Sequence, residues 1–116
     1  MSDWRRLLSQ SITTGEQLAE LFEDVDVESI EKVRRIFPMR INRYFLKLIR
    51  EKGDPIWKQV VPDLKELSDS GYRDPLGEDH DSPTPTIVHR YPDRVLFYVS
   101  YQCPIYCRFC TRKRKV

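Results

Sequence analysis

Residues 95–110 read VLFYVSYQCPIYCRFC, and this stretch decides both the fold class and the chemistry that the chain can perform. Its first part, residues 95–99, is a continuous run of β-branched and aromatic residues. That pattern predicts a strand buried on both faces, as in a parallel sheet. Cysteines follow directly, where parallel α/β folds build their active sites. The stretch therefore predicts an α/β fold with a site in the loop after this strand.

Three cysteines, Cys103, Cys107 and Cys110, share this loop with the spacing Cys-x3-Cys-x2-Cys. An odd number so closely spaced is a poor disulfide framework and is more typical of metal ligands. Three thiolates bind three irons of a 4Fe–4S cluster and leave the fourth iron open to a cofactor, whereas four thiolates close the site. A zinc site with His80 or His89 as its fourth ligand is the alternative.

The bulk composition sets limits on the class of protein. The 116 residues are 40% hydrophobic and 33% charged, which is typical of a globular chain of one domain at most. A net charge of +2 gives no argument for a nucleic-acid partner. No apolar run approaches the roughly 20 residues of a membrane span, and no signal peptide begins the chain. We expect a cytoplasmic protein that binds neither nucleic acid nor membrane.

Residues 1–70 are predicted to form short helices with a structural role. The first three helices begin at N-cap residues, which are Ser2 or Asp3, Thr13 or Thr14, and Asp26. Thr13 and Glu16 have the spacing of a capping box. The apolar positions at helical spacing are Trp4, Leu7, Leu8, Leu18, Leu21, Phe22, Ile30, Val33 and Ile36 or Phe37, with Pro38 ending the third helix.

A fourth helix is predicted over 41–52, with Gly53 as its stop. Its apolar face would carry Tyr44, Phe45, Leu48 and Ile49. Asp54-Pro55 predicts an N-cap with proline at the first helical position, which opens a fifth helix to about residue 61.

Composition changes near Ser68, and residues 71–93 are predicted to be an extended linker rich in glycine and proline. Four acids lie in it, and the expected environment for them is a solvated loop: Asp74, Glu78, Asp79 and Asp81. Residues 94–116 then hold the strand, the cysteine loop and a basic end.

Residues 89–116, HRYPDRVLFYVSYQCPIYCRFCTRKRKV, resemble the lysine 2,3-aminomutase family of radical S-adenosylmethionine enzymes. Residues 54–62 and 74–83 also match that family. The resemblance implies a partial TIM-like (β/α) barrel, of which this sequence holds the N-terminal helices, the linker, the first strand and the cluster loop. It implies an enzyme that moves an amino group between C2 and C3 of an amino acid. We expect the sequence to be the N-terminal part of a longer chain and to be inactive alone.

The resemblance also assigns residues. The three cysteines would hold the 4Fe–4S cluster, Phe109 would pack near the adenine of S-adenosylmethionine, and Arg112 would bind the substrate carboxylate. Residues matching the neighbourhood of pyridoxal phosphate are Arg90, Tyr91 and Arg94. The lysine that binds pyridoxal phosphate, and the acids that select the substrate, would lie beyond Val116. No catalytic residue is assigned within the sequence.

The expected partners are an amino acid substrate and an external electron donor, and the complete enzyme is expected to be a homo-oligomer. Phe109 stands where the family often has histidine, and Lys113 replaces an arginine. These departures leave open whether the substrate is lysine, glutamate or a lysine of another protein. A small metal-binding or nucleic-acid-binding module, with a cysteine knuckle and a basic tail, is the alternative of another class.

Overall fold

The computed structural model describes residues 3–116, which divide into two compact units. Residues up to Asp69 form the first unit together with Pro104–Cys110. Ser70–Cys103 and Thr111–Val116 form the second unit. No helix of the described residues is both long and apolar enough to cross a lipid bilayer.

The first unit contains short helices, as the sequence predicts. They are α1 (Trp4–Ser9), α2 (Gly15–Ala19), α3 (Val27–Arg34), α4 (Arg43–Leu46), α5 (Pro55–Val60) and a 3₁₀ helix (Leu64–Ser68). The N-caps Asp3, Asp26 and Asp54 are confirmed, since each carboxylate accepts backbone N–H groups of the first turn. The alternative cap Ser2 lies outside the described residues.

The predicted capping box of α2 is wrong in its register. Thr14 is the N-cap, and its hydroxyl accepts the N–H of Gln17 while the Gln17 side chain accepts the N–H groups of Thr13 and Thr14. The box therefore joins Thr14 to Gln17 and leaves Glu16 out. Thr13 cannot serve as the cap because the helix begins one residue later, at Gly15.

The predicted fourth helix over 41–52 is also wrong, because α4 has only four residues. Ile41 is held in extended backbone by bridges to Ile12 and Ile105, so the helix begins after Asn42, whose side chain caps it. After Leu46 the chain continues in tighter turns, in which the N–H of Ile49 donates to the Leu46 carbonyl. The buried side chains of residues 41–52 are Ile41, Leu46 and Ile49, and the expected core residues Tyr44 and Leu48 are exposed.

The core of the first unit is an apolar cluster whose buried members come from residues 12–61. Its buried members are Ile12, Leu18, Ile30, Met39, Ile41, Leu46, Ile49, Trp57, Val60 and Val61. Phe22 packs edge-on against Trp57, with ring centroids 5.3 Å apart. Ile105, from the cysteine segment, packs against the same cluster.

The second unit contains one antiparallel hairpin, formed by β1 (Ile87–Tyr91) and β2 (Arg94–Phe97). The prediction of a strand buried on both faces of a parallel sheet is therefore corrected. All four residues of β2 are exposed, and β2 pairs antiparallel with a strand that lies inside the predicted linker. Within residues 3–116 the sheet has these two strands, so the observed fold is a small mixture of helices and a hairpin.

Candidate functional site

Residues 104–110 of the cysteine segment belong to the helical unit. The backbone N–H of Tyr106 donates to the Arg40 carbonyl at 3.0 Å, and the N–H of Arg108 donates to the Gln59 carbonyl at 2.8 Å. The Tyr106 ring is buried. These contacts join the segment to chain more than forty residues away, so the helices determine its path.

Arg108, between the second and third cysteines, makes four side-chain hydrogen bonds within this unit. Its Nε and Nη2 donate to the two carboxylate oxygens of Glu66, each at 2.8 Å. Nη1 donates to the Pro38 carbonyl at 2.7 Å and Nη2 to the Phe37 carbonyl at 3.2 Å. The side chains of Arg108 and Glu66 are only 7% and 13% exposed.

Cys107 and Cys110 lie in the first unit, and Cys103 lies in the second. Each is half-buried, and no disulfide involves any of the three. The backbone N–H of Cys110 donates to the Cys107 carbonyl at 3.2 Å, which closes a turn around Arg108. In residues 3–116 no three His, Cys, Asp or Glu side chains form a ready-made metal site. The three-thiol site stays a prediction from the spacing.

In the second unit Arg112 contacts a buried carboxylate of the chain itself. Its Nη2 and Nε donate to Oε1 and Oε2 of Glu78 at 2.7 and 3.2 Å. The hydroxyl of Tyr98 donates to the same Oε2 at 3.1 Å. Burial, and then the Glu78 carboxylate, raise the pKa of Tyr98, so this phenol remains a proton donor at neutral pH. The arrangement fixes the direction of the Arg112 guanidinium.

A second ion-pair group surrounds Arg114. Its Nη2 lies 2.9 Å from Asp79 and 3.2 Å from Asp74, and its side chain is buried. The Arg114 guanidinium holds the pKa of the Asp79 carboxyl below its usual range. The ammonium of Lys115 lies over the Tyr98 ring, 4.7 Å from its centroid.

These contacts correct the expectation that the acids of 74–81 line a solvated loop. Glu78 is buried, and Asp74 and Asp79 hold an arginine. Sequence reasoning missed Glu78 and Glu66 as partners of the arginines. A signal existed for the first, because four acids at 74–81 match the four cations at 112–115 in number. Glu66 has a local role as well, since its side chain accepts the N–H of Asp63 at 3.0 Å in a capping box of the 3₁₀ helix, but that spacing gives no sign of a pairing with Arg108.

Arg90, Tyr91 and Arg94 lie together at the closed end of the hairpin. Tyr91 and Arg94 are cross-strand partners, and the Arg94 guanidinium lies over the Tyr91 ring, 4.9 Å from its centroid. Arg90 donates from Nη1 to the Leu76 carbonyl at 3.0 Å. All three side chains are exposed. The end of the hairpin therefore presents one guanidinium group, that of Arg94, beside an aromatic ring.

Phe109, in the first unit, has 69% of its surface exposed, and the turn from Cys107 to Cys110 presents it to solvent. His80 and His89, the candidate zinc ligands, are both exposed. His80 lies 3.2 Å from the carboxylate of the adjacent Asp81.

The chain is similar in sequence to proteins named as aminomutases. No protein-family model matches it. It is 45% identical over 99% of its length to L-lysine 2,3-aminomutase of Methanococcus maripaludis and 39% identical over 97% to that of Bacillus subtilis. It is 34% identical over 98% to glutamate 2,3-aminomutase of Clostridioides difficile.

The chain belongs to the lysine 2,3-aminomutase family. It covers 29%, 25% and 29% of these three relatives respectively, so it spans less than a third of the length of the curated relatives it matches. The resemblance read from residues 89–116 is thereby confirmed.

Proposed function

We propose that this chain is the cluster-bearing part of a radical S-adenosylmethionine aminomutase, which moves an amino group between C2 and C3 of an amino acid. The observation that carries the proposal is the Cys-x3-Cys-x2-Cys spacing in a chain of the lysine 2,3-aminomutase family. The names of the relatives give lysine and glutamate as their substrates. Lysine is the proposed substrate here, since the relatives at 45% and 39% identity carry that name.

The donor set suits an iron–sulfur cluster. Cys103, Cys107 and Cys110 supply three soft thiolates, half-buried and without a disulfide among them. When bound, the cluster would supply an electron to S-adenosylmethionine and so start radical chemistry on the substrate. The chain itself would hold the three thiols, and Phe109 directly precedes Cys110 in the sequence.

Arg112 is the proposed ligand of the substrate carboxylate. A guanidinium carries five N–H donors, and Glu78 accepts from two of its nitrogens. The Arg112 side chain is more than a third exposed, so it has access to solvent and solutes. Glu78 then acts as an orienting partner, which is useful because radical transfer needs the substrate in one geometry.

Arg90, Tyr91 and Arg94 are proposed to face pyridoxal phosphate. Their guanidinium groups would bind its phosphate, and the Tyr91 ring would lie near the pyridine. Further proposals that rest on the family resemblance are an external electron donor and a homo-oligomeric complete enzyme. A cytoplasmic location is proposed from the sequence itself.

The test begins with the cluster. Purified protein reconstituted with ferrous iron and sulfide without oxygen should turn brown and bind about four irons per chain, as one 4Fe–4S cluster requires. Replacing Cys103, Cys107 or Cys110 singly with alanine should each abolish the intact cluster. A colourless protein that binds zinc instead, or a cluster that tolerates loss of one of these cysteines, would contradict the proposal.

The reaction is tested separately. The complete enzyme that contains this sequence, loaded with its cluster, is incubated with S-adenosylmethionine, pyridoxal phosphate, a reductant and either L-lysine or L-glutamate, and the 3-amino product is measured by chromatography. Conversion of lysine supports the proposed substrate, and conversion of glutamate alone would replace it. Arg112→Lys keeps the charge but loses the fork, so turnover should fall by roughly ten- to a hundredfold with cluster content unchanged.

A further inference from the structure

We propose that Glu66 is a positioning residue for the cluster, because through Arg108 it fixes the turn that carries Cys107 and Cys110. The inference rests on the proposed function, since the placement of these thiols matters only if they bind iron. It assigns the helical region a part in cluster binding that its sequence does not reveal.

The contact is bidentate and almost sealed from water. Both carboxylate oxygens of Glu66 accept from Arg108 at 2.8 Å, and forty-two residues separate the two in sequence. Such a fork-on-fork pair defines the plane of the guanidinium as well as its position. The two backbone carbonyls of Phe37 and Pro38 accept from the same group, so the arginine is held from two sides.

The backbone of the turn is held too. The N–H of Arg108 donates to the Gln59 carbonyl, and the N–H of Cys110 donates to the Cys107 carbonyl. The buried Tyr106 ring lies 5.2 Å from the guanidinium carbon of Arg108. Consequently both the main chain and the side chain of Arg108 are fixed. Because Arg108 is one of the two residues between these cysteines, the directions of the Cα–Cβ bonds of Cys107 and Cys110 are restricted.

A purely stabilising role explains this arrangement poorly. Burying an ion pair removes hydration from both charges, so such pairs are weak sources of stability and an apolar pair of similar volume often does as well. What a buried, multiply hydrogen-bonded pair does supply is a single geometry. Arg108 lies between two predicted iron ligands. A fixed Arg108 side chain would therefore help to orient both thiols, as the outer partners of metal ligands do.

The experiment measures how tightly the protein holds its cluster. Wild-type protein and Glu66→Ala are reconstituted with ferrous iron and sulfide, and the rate of cluster loss to an iron chelator is followed by visible absorbance per mole of folded protein. Loss should be roughly ten- to a hundredfold faster in Glu66→Ala, the range typical for outer partners of metal ligands. Arg108→Lys, which keeps the charge without the fork, should fall in between.

Glu31→Ala is the matched control. Glu31 also pairs with an arginine in the first unit, with its Oε2 2.6 Å from Nη2 of Arg34. Within residues 3–116 its hydrogen-bond partners are Arg34 and the N–H of Gly15, and not residues 104–110. It should release the cluster at the wild-type rate. The double variant of Glu66→Ala with Arg108→Ala should lose its cluster no faster than Arg108→Ala alone, because both substitutions remove the same Glu66–Arg108 contact.

Each outcome decides between the two proposals. A folded Glu66→Ala protein that keeps its cluster as well as wild type overturns this inference and leaves the proposed function intact. Wild-type protein that accepts no cluster overturns the proposed function itself. If Glu66→Ala fails to fold, Glu66→Gln, which keeps the size and one acceptor oxygen, takes its place under the same criterion. Faster loss in Glu31→Ala as well would reduce the effect to general destabilisation and overturn the inference.

Discussion

The first unit buries a cluster of aliphatic and aromatic side chains, whereas the second unit, among the residues described, buries one aliphatic side chain, Val88. The second unit relies instead on ion pairs that join the acids of 74–81 to the cations of 112–115. Its apolar strand β2 stays exposed. The contrast shows that apolar composition does not by itself create a core, because burial requires a second surface to pack against.

The difference predicts that truncating a buried apolar side chain destabilises the protein, whereas truncating an exposed one has little effect on stability. Leu18→Ala removes a fully buried side chain of the first unit, while Leu48→Ala makes the same chemical change at a position 44% exposed. Leu18→Ala should lower the free energy of unfolding by about 2–5 kcal/mol. Leu48→Ala should stay within about 0.5 kcal/mol.

Chemical denaturation followed by tryptophan fluorescence measures this pair, since Trp57 lies in the same core. Equal losses in the two variants would show that residues 41–52 pack as the continuous helix that the sequence suggests, and would break the comparison.

The second unit should respond to loss of charge rather than loss of apolar volume. Glu78→Gln removes the charge of a buried carboxylate that accepts from Arg112 and Tyr98. The Arg112 side chain is partly exposed, so water can replace the lost carboxylate contact in this variant. The free energy of unfolding should therefore fall by about 1–2 kcal/mol. Glu28→Gln, in an exposed pair with Lys32, should cost about 0.5 kcal/mol or less.

Hydrogen exchange at the Tyr98 amide, which donates to the Thr86 carbonyl, reports on the second unit alone. Exchange should accelerate in Glu78→Gln and should stay at the wild-type rate in Glu28→Gln. An unchanged rate in Glu78→Gln would mean that ion pairs do not hold this unit together.

Much of the first unit could be predicted because its determinants are local. Asp3, Asp26 and Asp54 cap helices through atoms two or three residues away, and Pro55 presets the first turn of α5. The fourth helix failed for a non-local reason. Ile41 is recruited into bridges with Ile12 and Ile105, and no periodicity within 41–52 records those partners.

The site residues also divide into those with local determinants and those with distant partners. Cysteine spacing and the 89–116 resemblance point to the cluster ligands and the basic residues beside them without any structure. Glu66 could not be identified, because its partner Arg108 lies 42 residues away. For Glu78 the sequence offers only the match in number between four acids and four cations, and this does not single out Arg112, 34 residues away, as its partner. A long-range pair of this kind is visible only once the chain has folded.

The smallest expected effect is the response of the first unit to low pH. It sharpens the comparison because charge should contribute less than apolar packing to the stability of that unit. The carboxylate of Asp54 accepts the N–H groups of Trp57 at 2.7 Å and Arg50 at 2.8 Å, and these bonds lower the pKa of Asp54 from its ordinary value of 3.8. A carboxyl whose pKa is lower in the folded than in the unfolded chain stabilises fully above its ordinary pKa. That contribution is lost as the pH falls through the folded-state value.

Asp54→Asn keeps a good N-cap without a titrating group. The variant should therefore differ little from wild type at neutral pH, and any advantage of the wild type should shrink below about pH 4. Thermal unfolding midpoints of both proteins across this range provide the measurement. A gap between them that stays constant with pH would show that the Asp54 carboxylate does not supply this part of the acid dependence.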